Sequence, residues 1–180
     1  MNKGKIIILN GVSSAGKSSI AKILQLKLPE PYFCLALDTF TDIISPVYWP
    51  EFQERYSAAL ERQSMAAMYH AIKLYSDLGL NVVVDTVMCD WSGDDIKYRP
   101  FDDCMMLLND YPVFFIKVDC PVHELNRREL ERGDREIGIA EYCLGILTPK
   151  NDCDYDMIVN TYENTAEECA DKIVLSLFPV

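Results

Sequence analysis

The sequence predicts an α/β domain in which a parallel sheet is covered by helices on both faces. Three observations carry that prediction. The strand-like runs are short and continuously apolar, as in Ile6-Ile7-Ile8-Leu9 and Val82-Val83-Val84, the pattern of strands buried on both sides. Most of these runs are followed by a stretch with apolar residues at helical spacing. That alternation repeats along the chain, with no internal repeat, low-complexity tract or linker to divide it.

The elements follow in order. Lys5 to Asn10 reads as a first, fully buried strand. Ser18 to Leu28 carries Ile20, Ile23, Leu24 and Leu28 at helical spacing and is stopped by Pro29 and Pro31. Phe33 to Leu37 is a second strand that ends at Asp38. Phe52 to Leu78 reads as one long helix, with Gly79 in the position of a C-terminal stop. Met65, Met68, Tyr69 and Tyr75 fall on it at core-like spacings. Asn81 to Val84 is a third strand ending at Asp85, and Phe101 to Asn109 a helix. Val113 to Val118 is a fourth strand, after which Pro121 opens a helix that runs to about Arg132. A short helix over Arg135 to Leu147, a fifth strand over Met157 to Val159 and a last helix over Ala166 to Leu177 complete the series.

Gly11-Val12-Ser13-Ser14-Ala15-Gly16-Lys17-Ser18 fits the Walker A pattern G-x-x-x-x-G-K-S/T at every fixed position. The glycines allow a tight turn whose N–H groups point inward at phosphate oxygens, and the helix beginning near Lys17 adds its N-terminal partial charge. Such a pattern also arises by chance in glycine-bearing loops. Here it follows a strand and opens a helix, the context that phosphate binding requires. Gly11, Ser13, Ser14, Ala15, Gly16, Lys17, Ser18 and Ser19 are therefore the candidate nucleotide-binding residues. Lys17 would reach the β- and γ-phosphates of ATP, and the Ser18 hydroxyl would ligate Mg2+. The fold expected is a three-layer P-loop NTPase fold.

Parallel sheets bind ligands beyond the carboxyl ends of their strands, where two acids sit, Asp38 and Asp85. Each can simply cap the next helix or turn. Facing the phosphate loop, Asp85 would hold a magnesium-bound water and Asp38 would take the proton of a substrate hydroxyl, or the two roles are exchanged. The basic residues concentrate in Arg127-Arg128-Glu129-Leu130-Glu131-Arg132-Gly133-Asp134-Arg135. Arg128 and Arg132 lie four apart on one helix face, so the segment can fold over a nucleotide and present guanidiniums to it. Arg128 is a candidate nucleotide-binding residue, and Arg132 and Arg135 join Lys17 and Asp38 as catalytic candidates. The alternative is a solvated helix with Glu129, Glu131 and Asp134 as surface partners. Arg127 reads as surface charge. Asn160 and Thr161 lie near the expected adenine position or are ordinary turn residues.

A chain of 180 residues suits one domain, and 49% hydrophobic with 25% charged residues is ordinary globular composition. The net charge of −11 argues against a nucleic-acid surface, and no apolar run approaches the roughly 20 residues that cross a bilayer. No signal-peptide core follows the N-terminus, so a cytoplasmic protein is expected. Seven cysteines, odd in number and without a CxxC pair, fit buried reduced thiols better than zinc or disulfides. His70 and His123 are too isolated to suggest a metal cluster.

The phosphate loop, Leu28-Pro29-Glu30-Pro31, Asp38 after the second strand, Arg132-Gly133-Asp134-Arg135 and Tyr155-Asp156 together resemble chloramphenicol phosphotransferase-like proteins, from Ile6 to about Leu177. The resemblance implies a nucleoside-kinase-like fold with a five-stranded parallel sheet and an arginine-bearing lid over approximately residues 128–147. It also implies ATP-dependent phosphorylation of a hydroxyl, with Asp38 as general base and an acid at Asp85. Where the family carries a longer glycine-containing insertion, Thr39 to Phe52 is short and holds Pro46, Tyr48, Trp49 and Pro50. Those residues either line a substrate pocket or pack the start of the long helix. The resemblance thus carries the phosphotransfer machinery further than it carries chloramphenicol as the substrate.

The expectation is a single P-loop kinase domain over residues 1–180 that uses ATP and Mg2+ on a small hydroxyl-bearing substrate. It has no nucleic-acid or membrane partner, and monomer and homodimer both fit. A nucleotide-dependent switch or a binding protein without phosphotransferase activity is the competing class. The Asn-Lys-x-Asp motif of a guanine-specific switch is absent from the sequence.

Overall fold

The computed structural model describes residues 2–43, 57–93, 96–133 and 137–179. Five strands form one parallel sheet: β1 (Ile6–Asn10), β2 (Tyr32–Ala36), β3 (Asn81–Thr86), β6 (Val113–Asp119) and β7 (Met157–Asn160). Their spatial order is β2-β3-β1-β6-β7, with β1 at the centre. In register, Leu9 lies beside Asp85 and Asn10 beside Thr86, so the carboxyl ends of β1 and β3 emerge together. Two further short strands, β4 (Trp91–Gly93) and β5 (Ile96–Tyr98), pair antiparallel as a separate hairpin. Their three-residue runs fall below the length at which alternation is legible in a sequence.

Helices cover both faces. On one side α1 (Lys17–Lys27), α6 (Ile139–Ile146) and α7 (Ala166–Leu177) pack on Ile7, Leu9, Val83 and Ile116. On the other, α2 (Leu37–Thr41), α3 (Ser57–Asp77) and α4 (Pro100–Leu107) pack on Ile6, Ile8, Val82 and Val84. The split follows from strand geometry, in which successive side chains face opposite ways. Met65, Met68 and Tyr69 are buried in the second layer and Tyr75 packs against it, as their spacing predicts. One more helix, α5 (Val122–Arg132), follows β6.

The ends of the helices have local causes. Gly79, at φ 77°, ends α3 in a Schellman motif: its N–H bonds Ser76 O at 2.9 Å and Leu80 N–H bonds Tyr75 O at 2.9 Å. Thr165 and Glu168 form a reciprocal capping box at the start of α7. Two expectations shift. The second strand stops at Ala36, and Asp38 is instead the second residue of α2. The helix expected from Arg135 begins at Ile139, with residues 134–136 outside the described set. Pro46, Tyr48, Trp49, Pro50 and the Phe52 start of the long helix also lie outside it.

The cysteines correct another expectation. Cys104, Cys120 and Cys169 are buried, but Cys34 and Cys153 are exposed. Among the described residues, no helix is long and apolar enough to cross a membrane.

Candidate active site

The turn between β1 and α1 is built around two glycines. A Cβ on Gly11 would stand 2.5 Å from the carbonyl oxygen of Val118, so the backbone of β6 closes directly behind the loop. Gly16 precedes α1 at φ 96°, in the left-handed region that glycine adopts without strain. Ser14 holds φ 60° without being glycine, a conformation that costs of order 1–3 kcal/mol and gathers at functional loops. No side chain of the N-cap residue closes the start of α1, and its positive end is turned to the loop.

Three polar side chains converge at this turn. Ser18 Oγ donates to Asp85 Oδ2 at 2.5 Å. Lys17 Nζ donates to the carbonyl of Val12 at 2.9 Å and lies 3.7 Å from Asp85 Oδ1. Lys17 and Asp85 are both largely buried, with side chains 11% and 12% exposed, so their attraction is weakly screened. Asp85 stands at the carboxyl end of β3, and the pairing of β1 with β3 brings it to the loop.

Above these residues opens a cleft of about 820 Å³. The phosphate loop forms its floor, the ends of β2 and β3 one wall, and α5 and α6 another. Gly16, Lys17, Ser18, Ser19, Asp38 and Asp85 all line it, as do Ser13 and Ser14. Asp38 reaches it from the first turn of α2, where it is exposed. Gly11 and Ala15 are buried members of the loop and do not line the cleft.

Arg128 ties α5 to the loop. Its Nη1 donates to Ser14 O at 3.1 Å and to Thr161 Oγ1 at 3.0 Å, and its Nη2 donates to Thr161 O at 2.9 Å. Thr161 Oγ1 in turn donates to Ala15 O at 2.8 Å. Glu124, one turn back on α5, accepts from Arg128 Nε at 2.7 Å and from Arg127. Those two guanidiniums pull the Glu124 carboxyl down to about 2. Arg127 bonds Glu124 and Glu131 and is surface charge, as read.

Arg132 lines the cleft from the last turn of α5, while Arg135 lies outside the described residues. Glu129 is not a surface partner. It is fully buried, and its carboxylate accepts Gly138 N–H at 2.8 Å and Ala140 N–H at 2.9 Å. It thereby caps the start of α6 with negative charge and joins the two helices of the segment over residues 128–147. The sequence signal was available but ambiguous: a glutamate between arginines reads as a solvated face unless the following helix packs over it.

Of the two residues considered for the adenine position, Asn160 ends β7 and braces the turn that follows. Its Oδ1 accepts Tyr162 N–H at 2.9 Å and Glu163 N–H at 3.3 Å. Thr161 does line the cleft, though its polar atoms are engaged by Arg128 and Ala15. Its part in holding the loop was not legible, because a threonine after a strand carries no motif.

Comparisons with known proteins agree with this architecture. The APS kinase of Mycobacterium tuberculosis, solved with AMPPNP and APS, superposes with a TM-score of 0.70 at 19% identity, over 98% of this chain and 99% of that one. Shikimate kinase from Acinetobacter baumannii, solved with shikimate, gives 0.65 at 14% identity, over 97% and 93%. At such identities the likeness is one of fold, the P-loop kinase fold. In sequence, a Mycobacterium tuberculosis protein whose name provisionally assigns it as an O-phosphotransferase is 30% identical, over 94% of this chain and 80% of the relative. The family model described as chloramphenicol phosphotransferase-like protein matches residues 4–177. With a match over nearly its whole length, the chain belongs to the chloramphenicol phosphotransferase-like family.

Proposed function

We propose that this protein is a kinase that uses ATP and Mg2+ to phosphorylate a hydroxyl of a small molecule. The observation that carries the reading is the convergence of Lys17, Ser18 and Asp85 at the foot of the cleft, with Asp38 on its wall. The residues fit the ligands. Ser18 and Asp85 present hard oxygens 2.5 Å apart, the donor type for a magnesium ion that keeps most of its waters. Ser14 Oγ is buried within the loop with no partner among the described residues, a hydroxyl in want of an acceptor such as phosphate oxygen.

Bound Mg2+·ATP supplies the phosphoryl group and neutralises charge on the leaving oxygens. Lys17 holds an ammonium beside the phosphate loop, and Arg132 brings a guanidinium from the lid, with Arg135 three residues beyond it in the chain. Arg128 fixes the lid helix to the loop through Ser14 and Thr161, so loop and lid are positioned as one piece. Asp38 takes the proton of the acceptor hydroxyl as that oxygen bonds the γ-phosphorus. The bond from that phosphorus to the bridging oxygen breaks, and ADP leaves. The bond of Asp85 to Ser18 supports a metal-binding role for Asp85, and with it the reading of Asp38 as the base. The name of the 30% identical relative favours an oxygen acceptor.

The test is ATP consumption with Mg2+ across chloramphenicol, nucleosides, sugars and aminoglycosides, alongside Asp38→Ala. Acceptor-dependent turnover is expected, with kcat lowered about 10²–10⁴-fold in the variant and ATP binding retained. Consumption that ignores every acceptor and survives Asp38→Ala would sink the reading.

A further inference from the structure

Thr86 is 1% exposed, yet it lines the cleft beside Asp85. Its hydroxyl is buried and has no hydrogen-bond partner among the described residues. A buried polar group left unpaired is costly in a protein interior, and so asks for an explanation. The side chain beside it on β1 makes its hydrogen bonds elsewhere. Asn10, opposite Thr86 in the register of β1 and β3, uses both N–H donors on Thr148 O and Tyr155 Oη, at 2.7 and 2.9 Å. Its Oδ1 accepts Met88 N–H at 2.9 Å.

Strand alternation shows where this hydroxyl faces. Val83 belongs to the layer on the α1 side, and Asp85, two residues on, meets Ser18 of α1. Val82 and Val84 belong to the layer containing Leu37, with Phe40 packed against it, and Thr86 continues that face. The two consecutive residues at the end of β3 therefore divide the cleft. Asp85 serves the phosphate side, and Thr86 faces the side on which α2 carries Asp38.

We propose that Thr86 is the acceptor-positioning residue of this enzyme, its hydroxyl hydrogen-bonding a polar group of the acceptor next to the hydroxyl that is phosphorylated. The proposal rests on the kinase reading above. In the ligand-free protein the hydroxyl is unmatched; in the acceptor complex it is paired. An acceptor lacking the second polar group leaves it unmatched and binds more weakly, which makes Thr86 a determinant of specificity.

The experiment compares the wild type with Thr86→Val and Thr86→Ser, using chloramphenicol, uridine, glucose and kanamycin as acceptor probes. Thr86→Val is expected to melt at or above the wild type, because it removes a buried unpaired hydroxyl without changing shape. Its affinity for ATP should stay within about twofold, while KM for the acceptor rises at least about tenfold. Thr86→Ser, which restores the hydroxyl, should recover most of that loss. An unchanged acceptor KM in Thr86→Val overturns the proposal and leaves the kinase reading standing. So does a weakened ATP affinity, which would move the hydroxyl to the phosphate side, or a clear drop in melting temperature, which would show a partner within the fold. A wild type with no acceptor-dependent turnover on any probe overturns the kinase reading, and the role of Thr86 falls with it.

Discussion

Ser18 and Lys17 share a single carboxylate, that of Asp85, which stands 67 residues from Ser18 in the chain. On the proposed reading this carboxylate exists to hold magnesium together with Ser18. Asp85→Asn should then abolish the gain in nucleotide affinity that Mg2+ brings and leave metal-free binding in place, as titration calorimetry with and without chelator would show. Equal losses in both conditions would instead make Asp85 a support for Lys17. Glu124 makes a prediction in pH. Its carboxyl is lowered from 4.5 to about 2 by Arg127 and Arg128, so the folded state favours the ionised form more than the unfolded chain does. The stability this lends is fully present above pH 4.5 and is lost as pH falls through about 2. Thermal melts taken downward from pH 4.5 should show a steeper loss in the wild type than in Glu124→Gln. Parallel curves would mean that the pairs are no stronger in the folded protein. Gly11 to Ser18 could be read at this scale because the constraint is local, each residue type answering to its own backbone or phosphate contact. Thr161 could not, because its role is defined by Arg128, 33 residues away.

Helix ends decide how the elements meet. α7 begins with a capping box in which Glu168 N–H bonds Thr165 Oγ1 at 3.2 Å and Thr165 N–H bonds Glu168 Oε2 at 2.8 Å. Thr165 also lines the cleft, so this cap fixes the rim of the site as well as the helix. Thr165→Ala should cost about 1 kcal/mol and lower the melting temperature by about 2–4 °C. No change in melting would show that packing of α7 on α1 holds the helix start without the cap. The span of α7, Ala166–Leu177, was legible residue for residue, since helical periodicity is a local signal. α2 was not. Five residues following directly on β2 continue an apolar run, and nothing in Leu37-Asp38-Thr39 marks the change from strand to helix. The consequence for function is direct, because Asp38 enters the cleft from a helical turn rather than from a strand end. The two helices α5 and α6 show the same limit: α5 and its end at about Arg132 were legible, but the buried capping of α6 by Glu129 depends on how two helices pack.

Across the molecule, the cleft joins pieces from the whole length of the chain, from Ser13 to Ala166, and a ligand filling it bridges them. Mg2+·ATP should therefore stabilise the protein globally, by about 2.7 kcal/mol at a hundred times its Kd. A melting curve unmoved by saturating nucleotide would count against the nucleotide site itself. The acidic balance of −11 sits on this fold without excluding phosphate, since Lys17, Lys22, Arg128 and Arg132 all line the cleft.

The sequence by itself determined the fold class, most strands and helices to within one or two residues, the Walker A pattern at Gly11 to Ser18 and the family. Each of these is encoded by neighbours in the chain: the run of Val82 to Val84, the heptapeptide spacing of the glycines and lysine, the helical spacing of Ile20, Ile23 and Leu24. Tertiary structure alone decided the meeting of Ser18 with Asp85, the burial of Glu129 and the unpaired hydroxyl of Thr86. The physical reason is that a periodic pattern states whether a side chain is buried, whereas its partner depends on strand order. With β1 between β3 and β6, residues far apart in the chain come within bonding distance at the carboxyl end of the sheet.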